Sequence, residues 1–403
     1  MSSLIWTTLP YHRLWLLDQT NALFEFFEPC SIDPKGGFFT LDDRGRPLDS
    51  DQRQLHTVTR LVHCFAIARL LGRPGAERFI DHGMSYLWSA HRDDARGGYR
   101  WDATEGGDAS KQAYGHAFVL LAASSAKVAG HPDADRLLAD VSEVIRQRFW
   151  EETHGAVAEE FAADWSPVSG YRGQNSNMHM TEALMAAFEA TRDAEYLAMA
   201  ERIATRVIAM TAAENGWRVL EHFDTDWRPD PDYSNGDVFR PYGTTPGHSL
   251  EWTRLLLQLW QLGEERLDWL PDAAEALFLR ATTDAWDPRG GFVYTLDWTG
   301  APRLKNRLWW PAAEGIGASA FLNALRPSAD YEIWYRRIWD FVATELIDRA
   351  SGGWYPQPYN DGTNPLFAGK PDLYHALQAC LIPLVPATGS ITHGLITRGL
   401  ALS

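Results

Sequence analysis

Cysteine is scarce in this chain. The three present, Cys30, Cys64 and Cys380, lie far apart with no CxxC spacing. That excludes a disulfide scaffold and a thiolate zinc site, and it fits a reducing compartment. Positive charge is short too: 37 Lys and Arg face 53 Asp and Glu, a net charge of −16 without any basic block. The electrostatic footprint of a nucleic-acid binder is therefore missing. No apolar run is long enough to span a bilayer, and the N-terminus, MSSLIWTTLPYHRLW, lacks the basic region and apolar stretch of an export signal. The cytoplasm is the expected location, with neither a membrane nor a nucleic acid as partner. No HExxH and no acidic ligand cluster occurs, so no metal or other cofactor is expected. No linker or low-complexity segment interrupts the chain, which predicts one domain over residues 1–403.

Tryptophan, in contrast, is plentiful at 18 residues. Each buried indole N–H needs a partner, so such a surplus suits a sugar-stacking cleft as well as it suits a bulky helical core. A second abundance is repetition. A glycine, an aromatic and a short polar strand recur at Gly36 (GGFFTLDDRGRP), Gly97 (GGYRWDATEGGD) and, more weakly, Gly155 (GAVAEEFAADW). They return at Gly216 (GWRVLEHFDTDWRP), Gly290 (GGFVYTLDWTGAP) and Gly352 (GGWYPQPYNDGTNP), with one longer interval before Gly290. The period of about 60 residues leaves room for two helices between copies. Six hairpin-plus-two-helix units predict an all-α (α/α)6 barrel, six helices inside and six outside, with the β-hairpins at one end. Each unit alone exposes an apolar face that ring closure buries. The tail after Pro383 is expected to pack outside or to close the ring.

In such a toroid the first turns of the inner helices, and the loops before them, surround the central cavity. Those positions carry polar residues that an apolar core would not want. They are Arg60 in HTVTRLVH; Tyr114 and His116 in DASKQAYGHAF; Asn175, Asn177, His179 and Glu182 in GQNSNMHMTEA; and His248, Glu251 and Arg254 in TTPGHSLEWTR. The tenth helix adds Trp309, Trp310 and Glu314 in NRLWWPAAEG, and the last adds Asp372, Tyr374 and His375 in GKPDLYHALQ. Buried unpaired charges cost several kcal/mol each, so clusters converging on one cavity point to a wet, functional one. Taken singly, each has a plainer reading. Glu251 three residues after His248 is also a simple helical pair. Glu182 and Glu314 are also candidate structural partners of Arg60 or Arg254, and His116 in mid-helix reads as core. His12, His63, His82, His91, His131, His154 and His393 are placed on surfaces or outer helices. His248 and His375 stand out because they face each other across the ring with Trp310 between. Two imidazoles in an aromatic, carboxylate-lined cavity suit proton transfer near neutral pH. Glu251 would then fix the tautomer of His248, and Arg60 would stabilise an enediolate oxygen.

These motifs, in this order and over nearly the whole chain, resemble the N-acylglucosamine 2-epimerase superfamily, and within it the aldose–ketose isomerase branch. The resemblance implies a metal-free (α/α)6 barrel acting on a monosaccharide. It implies an acid/base pair at His248 and His375, with Arg60, Tyr114, Asn175, His179, Glu182, Arg240 and Trp310 as substrate-binding positions. The implied reaction is interconversion of D-mannose and D-fructose by proton transfer from C2 to C1 through a cis-enediol. His375 is cast as the carbon base and His248 as the group moving protons on oxygen, though the two roles are exchangeable. Asn177, where epimerases of the superfamily tend to carry histidine, leans towards isomerisation; Pro371 offers no donor to a sulfonate and leans towards a neutral hexose. A 2-epimerase, a sulfoquinovose isomerase, a glycoside hydrolase using two of Glu182, Glu251 and Glu314, and a non-catalytic sugar binder remain alternatives. Oligomeric state is not legible.

Overall fold

The computed structural model describes residues 4–400. Six helices form an inner ring: α2 (Leu55–Leu70), α4 (Ala113–Val128), α6 (Gln174–Thr191), α8 (Pro246–Leu262), α10 (Trp309–Leu325) and α12 (Tyr374–Leu381). Each packs on its two neighbours, and α12 returns to α2, which closes the ring. Outside them lie α1 (Pro10–Phe27), α3 (Ala76–Tyr86), α5 (Ala134–Val144), α7 (Ala194–Ala204), α9 (Trp269–Ala285) and α11 (Ala329–Phe341). The (α/α)6 barrel expected from the repeats is thus the fold observed.

Composition explains the two layers. Inner helices are apolar nearly all round, and α10 buries everything from Trp309 to Asn323, as a helix with no solvent-facing stripe must. Outer helices bury one face only; α5 hides Leu137, Leu138 and Val141 while its charged residues face water. Four outer helices, α3, α5, α7 and α11, run out through a π-helical turn before a hairpin begins. Buried apolar side chains form one continuous core from Leu16 to Leu395.

The loop end closes as a second ring. The segment entering an inner helix bridges to the hairpin of the next unit: Gln54 to Asp102, Thr244 to Leu296, and Lys370 back to Leu41. Lys111–Gln112 pairs antiparallel with Glu160–Phe161, and Arg172–Gly173 with His222–Phe223. Ahead of α10 the link is a hydrogen bond from Trp309 N–H to Pro356 O at 3.1 Å. A charged pair recurs with the same period: Asp33–Arg53 at 2.6 Å, Asp93–Lys111 at 2.8 Å, Glu151–Arg172 at 2.6 Å and Asp348–Lys370 at 2.7 Å. Each clamps a hairpin onto the segment entering its own inner helix. Removing one member of any of the three buried pairs, Asp33–Arg53, Asp93–Lys111 or Asp348–Lys370, strands its partner, at a cost of about 3–5 kcal/mol. The long interval before Gly290 holds the segment 230–243, tied down where Tyr294 Oη donates to Val238 O at 2.6 Å.

At the opposite end the tail forms α13 (Ile391–Arg398), which packs against α2 and α4 and plugs the barrel. Glu189, near the end of α6, accepts the Ser390 backbone N–H at 2.9 and 3.2 Å. Burial pushes the Glu189 carboxyl up to about 7, outweighing the Ser390 hydrogen bonds. Its unfolded reference is 4.5, so between these values the folded chain binds more protons than the unfolded one. The Glu189 contribution to stability falls as pH rises through that window, by about 3 kcal/mol. Buried neutral histidines such as His56 and His116 act in the opposite sense below pH 6.5, so the test is the difference: urea unfolding from pH 4.5 to 8 should show the wild type losing about 3 kcal/mol relative to Glu189→Gln as pH rises.

Candidate active site

Within the hairpin end lies a cavity of about 300 Å³, walled by Arg60, Tyr114, Asn175, His179, His248, Glu251, Trp309, Trp310, Asp372 and His375. Its rim carries Phe239 and Phe367, ring to ring at 6.1 Å. Trp310 lies between the two histidines singled out from sequence, its ring centroid 5.2 Å from His248 and 5.9 Å from His375. The stretch TTPGHSLEW makes this possible. Pro246 starts α8 with its φ already helical. A Cβ on Gly247 would overlap the Trp310 indole, so glycine lets that ring lie against the helix.

Both imidazoles are held from behind by a carboxylate. His248 Nδ1 is 2.9 Å from Glu221 Oε2. Trp252 Nε1–H donates to Gln174 Oε1 at 2.8 Å, which turns the Gln174 amide N–H towards Glu221 Oε2, also at 2.8 Å. Nδ1 also lies 2.9 Å from the Gln174 amide nitrogen, but the Glu221 carboxylate, at 2.9 and 3.1 Å, can only accept and already takes a Gln174 N–H, so the tautomer that satisfies Glu221 carries the His248 proton on Nδ1 and turns Nε2 to the cavity. Glu221 is fully buried, which alone would raise its pKa, yet His248 and Gln174 hold it below the usual carboxylate range. On the other side His375 Nδ1 lies 3.0 Å from Glu314 Oε1. Glu314, likewise opposed by burial, is held low by Arg254 and His375. Asp372 caps the start of α12 through the Tyr374 N–H at 2.8 Å and sits 3.7 Å from His375 Nε2.

Beneath the cavity floor, Arg254 gathers three glutamates: Glu314 at 3.2 Å, Glu182 at 3.3 Å and Glu251 at 3.8 Å. His179, Glu182 and Glu251 bring possible ligand atoms within 4.8 Å of one another. Arg254 already supplies the positive charge there, so the group does not read as a metal centre. Arg60 donates to Tyr114 Oη at 2.8 Å, its guanidinium 4.5 Å from the Phe118 ring and 5.0 Å from that of Tyr374.

Several expectations change. Glu251 does not orient His248; that carboxylate is Glu221, because the imidazole turns back towards the hairpin while Glu251 points down the barrel axis to His179. Glu182 does not line the cavity: Arg254 and the Tyr374 hydroxyl hold it under the floor. Arg240 lies in an adjoining lobe of about 250 Å³, paired with Glu160 at 3.0 Å and stacked on Tyr171. Asn177 is spent on the backbone of Val157 and Gly173, so it offers the cavity nothing to separate isomerase from epimerase. His12, His63 and His91 are buried, bonded to Tyr335, Ser125 and the Arg100 carbonyl, and His63 lies on an inner helix rather than an outer one. His116 is a core residue, accepting the Tyr99 N–H at 3.0 Å. Most tryptophans fill core or loops; Trp309 and Trp310 face the cavity and Trp101 the second lobe.

Glu221 and His56 escaped the reading. His56 stacks on Trp101 and lines both lobes. A signal for Glu221 existed: AEEF at 158–161 and LEHF at 220–223 occupy the same hairpin position in consecutive units, and both glutamates face an inner-helix start.

Residues 36–379 match the family described as N-acylglucosamine 2-epimerase. The chain belongs to the N-acylglucosamine 2-epimerase family. Among family members, a D-mannose isomerase of Pseudomonas cannabina pv. alisalensis is 42% identical over 402 residues, covering 97% of each chain. One from Thermobifida fusca is 41% identical over 409 residues, covering 98% of this chain and all of its own. A D-mannose isomerase crystal structure superposes with a TM-score of 0.85 at 35% identity, over 92% of this chain and 97% of that one.

If Glu221 fixes the His248 tautomer, Glu221→Ala should lower kcat about 10²–10⁴-fold, the range of a lost acid/base contribution. Circular dichroism should report an intact fold, and steady-state kinetics an effect on kcat rather than KM.

Proposed function

We propose that this protein is an aldose–ketose isomerase that interconverts D-mannose and D-fructose. The reading is carried by one observation: two imidazoles lining the cavity on either side of Trp310, each backed at Nδ1 by its own carboxylate. Substrate and product are isomers, so the reaction needs no redox partner; it needs protons moved between carbon and oxygen.

In this reading His375 Nε2 takes the C2 proton of the open-chain aldose. The C2–H bond breaks, a C1–C2 double bond forms, and negative charge gathers on O1. The same imidazolium returns the proton to C1, while His248 moves a proton between O2 and O1, leaving a ketone at C2. Glu314 and Glu221 stabilise whichever imidazolium forms. Arg60 supports charge on the enediolate oxygens, and Trp310 with the rim aromatics covers the sugar faces. Asn175 Oδ1, buried without a hydrogen-bond partner, is a ready acceptor for a sugar hydroxyl. The chain acts as one domain in the cytoplasm, where its free thiols remain reduced.

Hydrolysis fits less well. It needs two carboxylates about 6.5–9.5 Å apart and free to act for inversion, and Glu182 and Glu314 are bound by Arg254 below the floor.

Mannose incubated with the enzyme in D2O decides the matter. The expected product is fructose, with deuterium entering C1 to the extent that the His375 proton exchanges with solvent. Glucose as the product would make the protein an epimerase. An unchanged C2–H with no product would remove sugar isomerisation altogether.

A further inference from the structure

His179 and Glu251 make a contact in the cavity floor that the reading above leaves without a role. His179 Nδ1 and Glu251 Oε1 are both fully buried, neither has a hydrogen-bond partner, and they lie 3.5 Å apart. The other oxygen near His179, Glu182 Oε2, is farther at 3.9 Å and already accepts the Tyr374 hydroxyl. Two orphaned buried polar atoms this close are satisfied together if one proton lies between them. The question is which atom owns it.

From this geometry we infer that Glu251 is a neutral carboxylic acid donating to His179 Nδ1, so that His179 presents an Nε2–H donor to the cavity. The tautomer is opposite to that of His248 and His375, whose Nδ1–H groups face Glu221 and Glu314 and whose Nε2 atoms are left to accept a proton. One residue type thus supplies two bases and one electrophile. His179 would hydrogen-bond the sugar's carbonyl oxygen and hold it as it becomes the enediolate oxygen, with no net transfer of its own proton. Glu251 acts through His179 and is a positioning residue. This assignment rests on the isomerase reading for its role, though not for its protonation state.

Charge count supports it. Around Glu251 stand Arg60 from α2, Tyr114 from α4, Glu182 from α6, Arg254 from α8, Glu314 from α10 and Tyr374 from α12. Glu182 and Glu314 take up Arg254 at 3.3 and 3.2 Å, whereas Glu251 is left at 3.8 Å, beyond hydrogen-bond reach. Burial, then Glu314 and Glu182, push the Glu251 carboxyl well above its ordinary range, more than Arg254 and Arg60 lower it. Burial likewise lowers His179 to about 4, against the pull of Glu182, so its ring is neutral at pH 7.

Nitrogen-15 NMR of histidine-labelled free enzyme reads tautomers directly. The ring whose signals vanish in His179→Asn and shift in Glu251→Gln should carry its proton on Nε2; those assigned through His248→Asn and His375→Asn should carry theirs on Nδ1. A His179 ring protonated on Nδ1, or on both nitrogens, overturns the assignment whatever the enzyme does to mannose. Kinetics provide a second arm. Glu251→Gln keeps an N–H donor for Nδ1 and should hold kcat within about tenfold, whereas Glu251→Leu should lose about 10²-fold or more in kcat. Equal losses in both variants would mean that a carboxylate charge is required, and would overturn the neutral acid. Failure of the mannose assay in wild type would instead strike the isomerase reading and leave the NMR result standing.

Discussion

Three carboxyl groups cannot share one dry space as anions unless something compensates them, and here Arg254 is bonded to Glu182 and Glu314 and leaves Glu251 at 3.8 Å. Its guanidinium sits on the barrel axis, fully buried, bonded to Glu182 and Glu314 and near Glu251. Glu314 holds His375 and Glu182 holds Tyr374, so the geometry of the cavity floor follows from where this one cation lies. A cluster of this kind is a poor way to stabilise a fold, since a well-packed apolar replacement is often neutral or better. Its use is to fix protons and ring orientations.

The fold supplies the rigidity that such fixing needs. Inner helices project their first turns into one space, and the bridges from each helix entry to the next hairpin tie those turns together at the loop end. Glu221 illustrates the benefit. It belongs to a hairpin, not to a helix, yet the ladder joining Gly173 to His222 sets it beside both Gln174 and His248. The aromatic rim comes from two long loops, through Phe239 ahead of α8 and Phe367 ahead of α12.

The barrel was legible because repetition at a fixed period survives without any contact information, and because glycine turns mark every hairpin. The cavity residues were legible where a polar side chain opens an apolar helix, as at Arg60, Asn175, His179, His248 and His375. What sequence concealed was direction. His248 and Glu251 share a helical face, but rotation about χ1 and the depth of each residue along the axis send one to Glu221 and the other to His179. Glu182 and Arg240 carry the right chemistry and sit one layer too deep and one lobe aside, respectively. Asn177 is bonded within the scaffold, which periodicity cannot distinguish from facing a cavity, and His63 lies on inner helix α2 where a surface or an outer helix was expected.

The account rests on two imidazole Nε2 atoms reaching the C1–C2 unit of one open-chain hexose, His375 at the carbons and His248 at their oxygens. An acyclic hexitol has the shape of that intermediate but no carbonyl to react, so a crystal structure of its complex measures the claim directly. The account predicts His375 Nε2 in contact with C1 and C2, and His248 Nε2 within hydrogen-bond distance of the oxygens on the same two carbons. A hexitol bound with those carbons beyond the reach of either ring, or seated in the lobe beside Arg240, would contradict it.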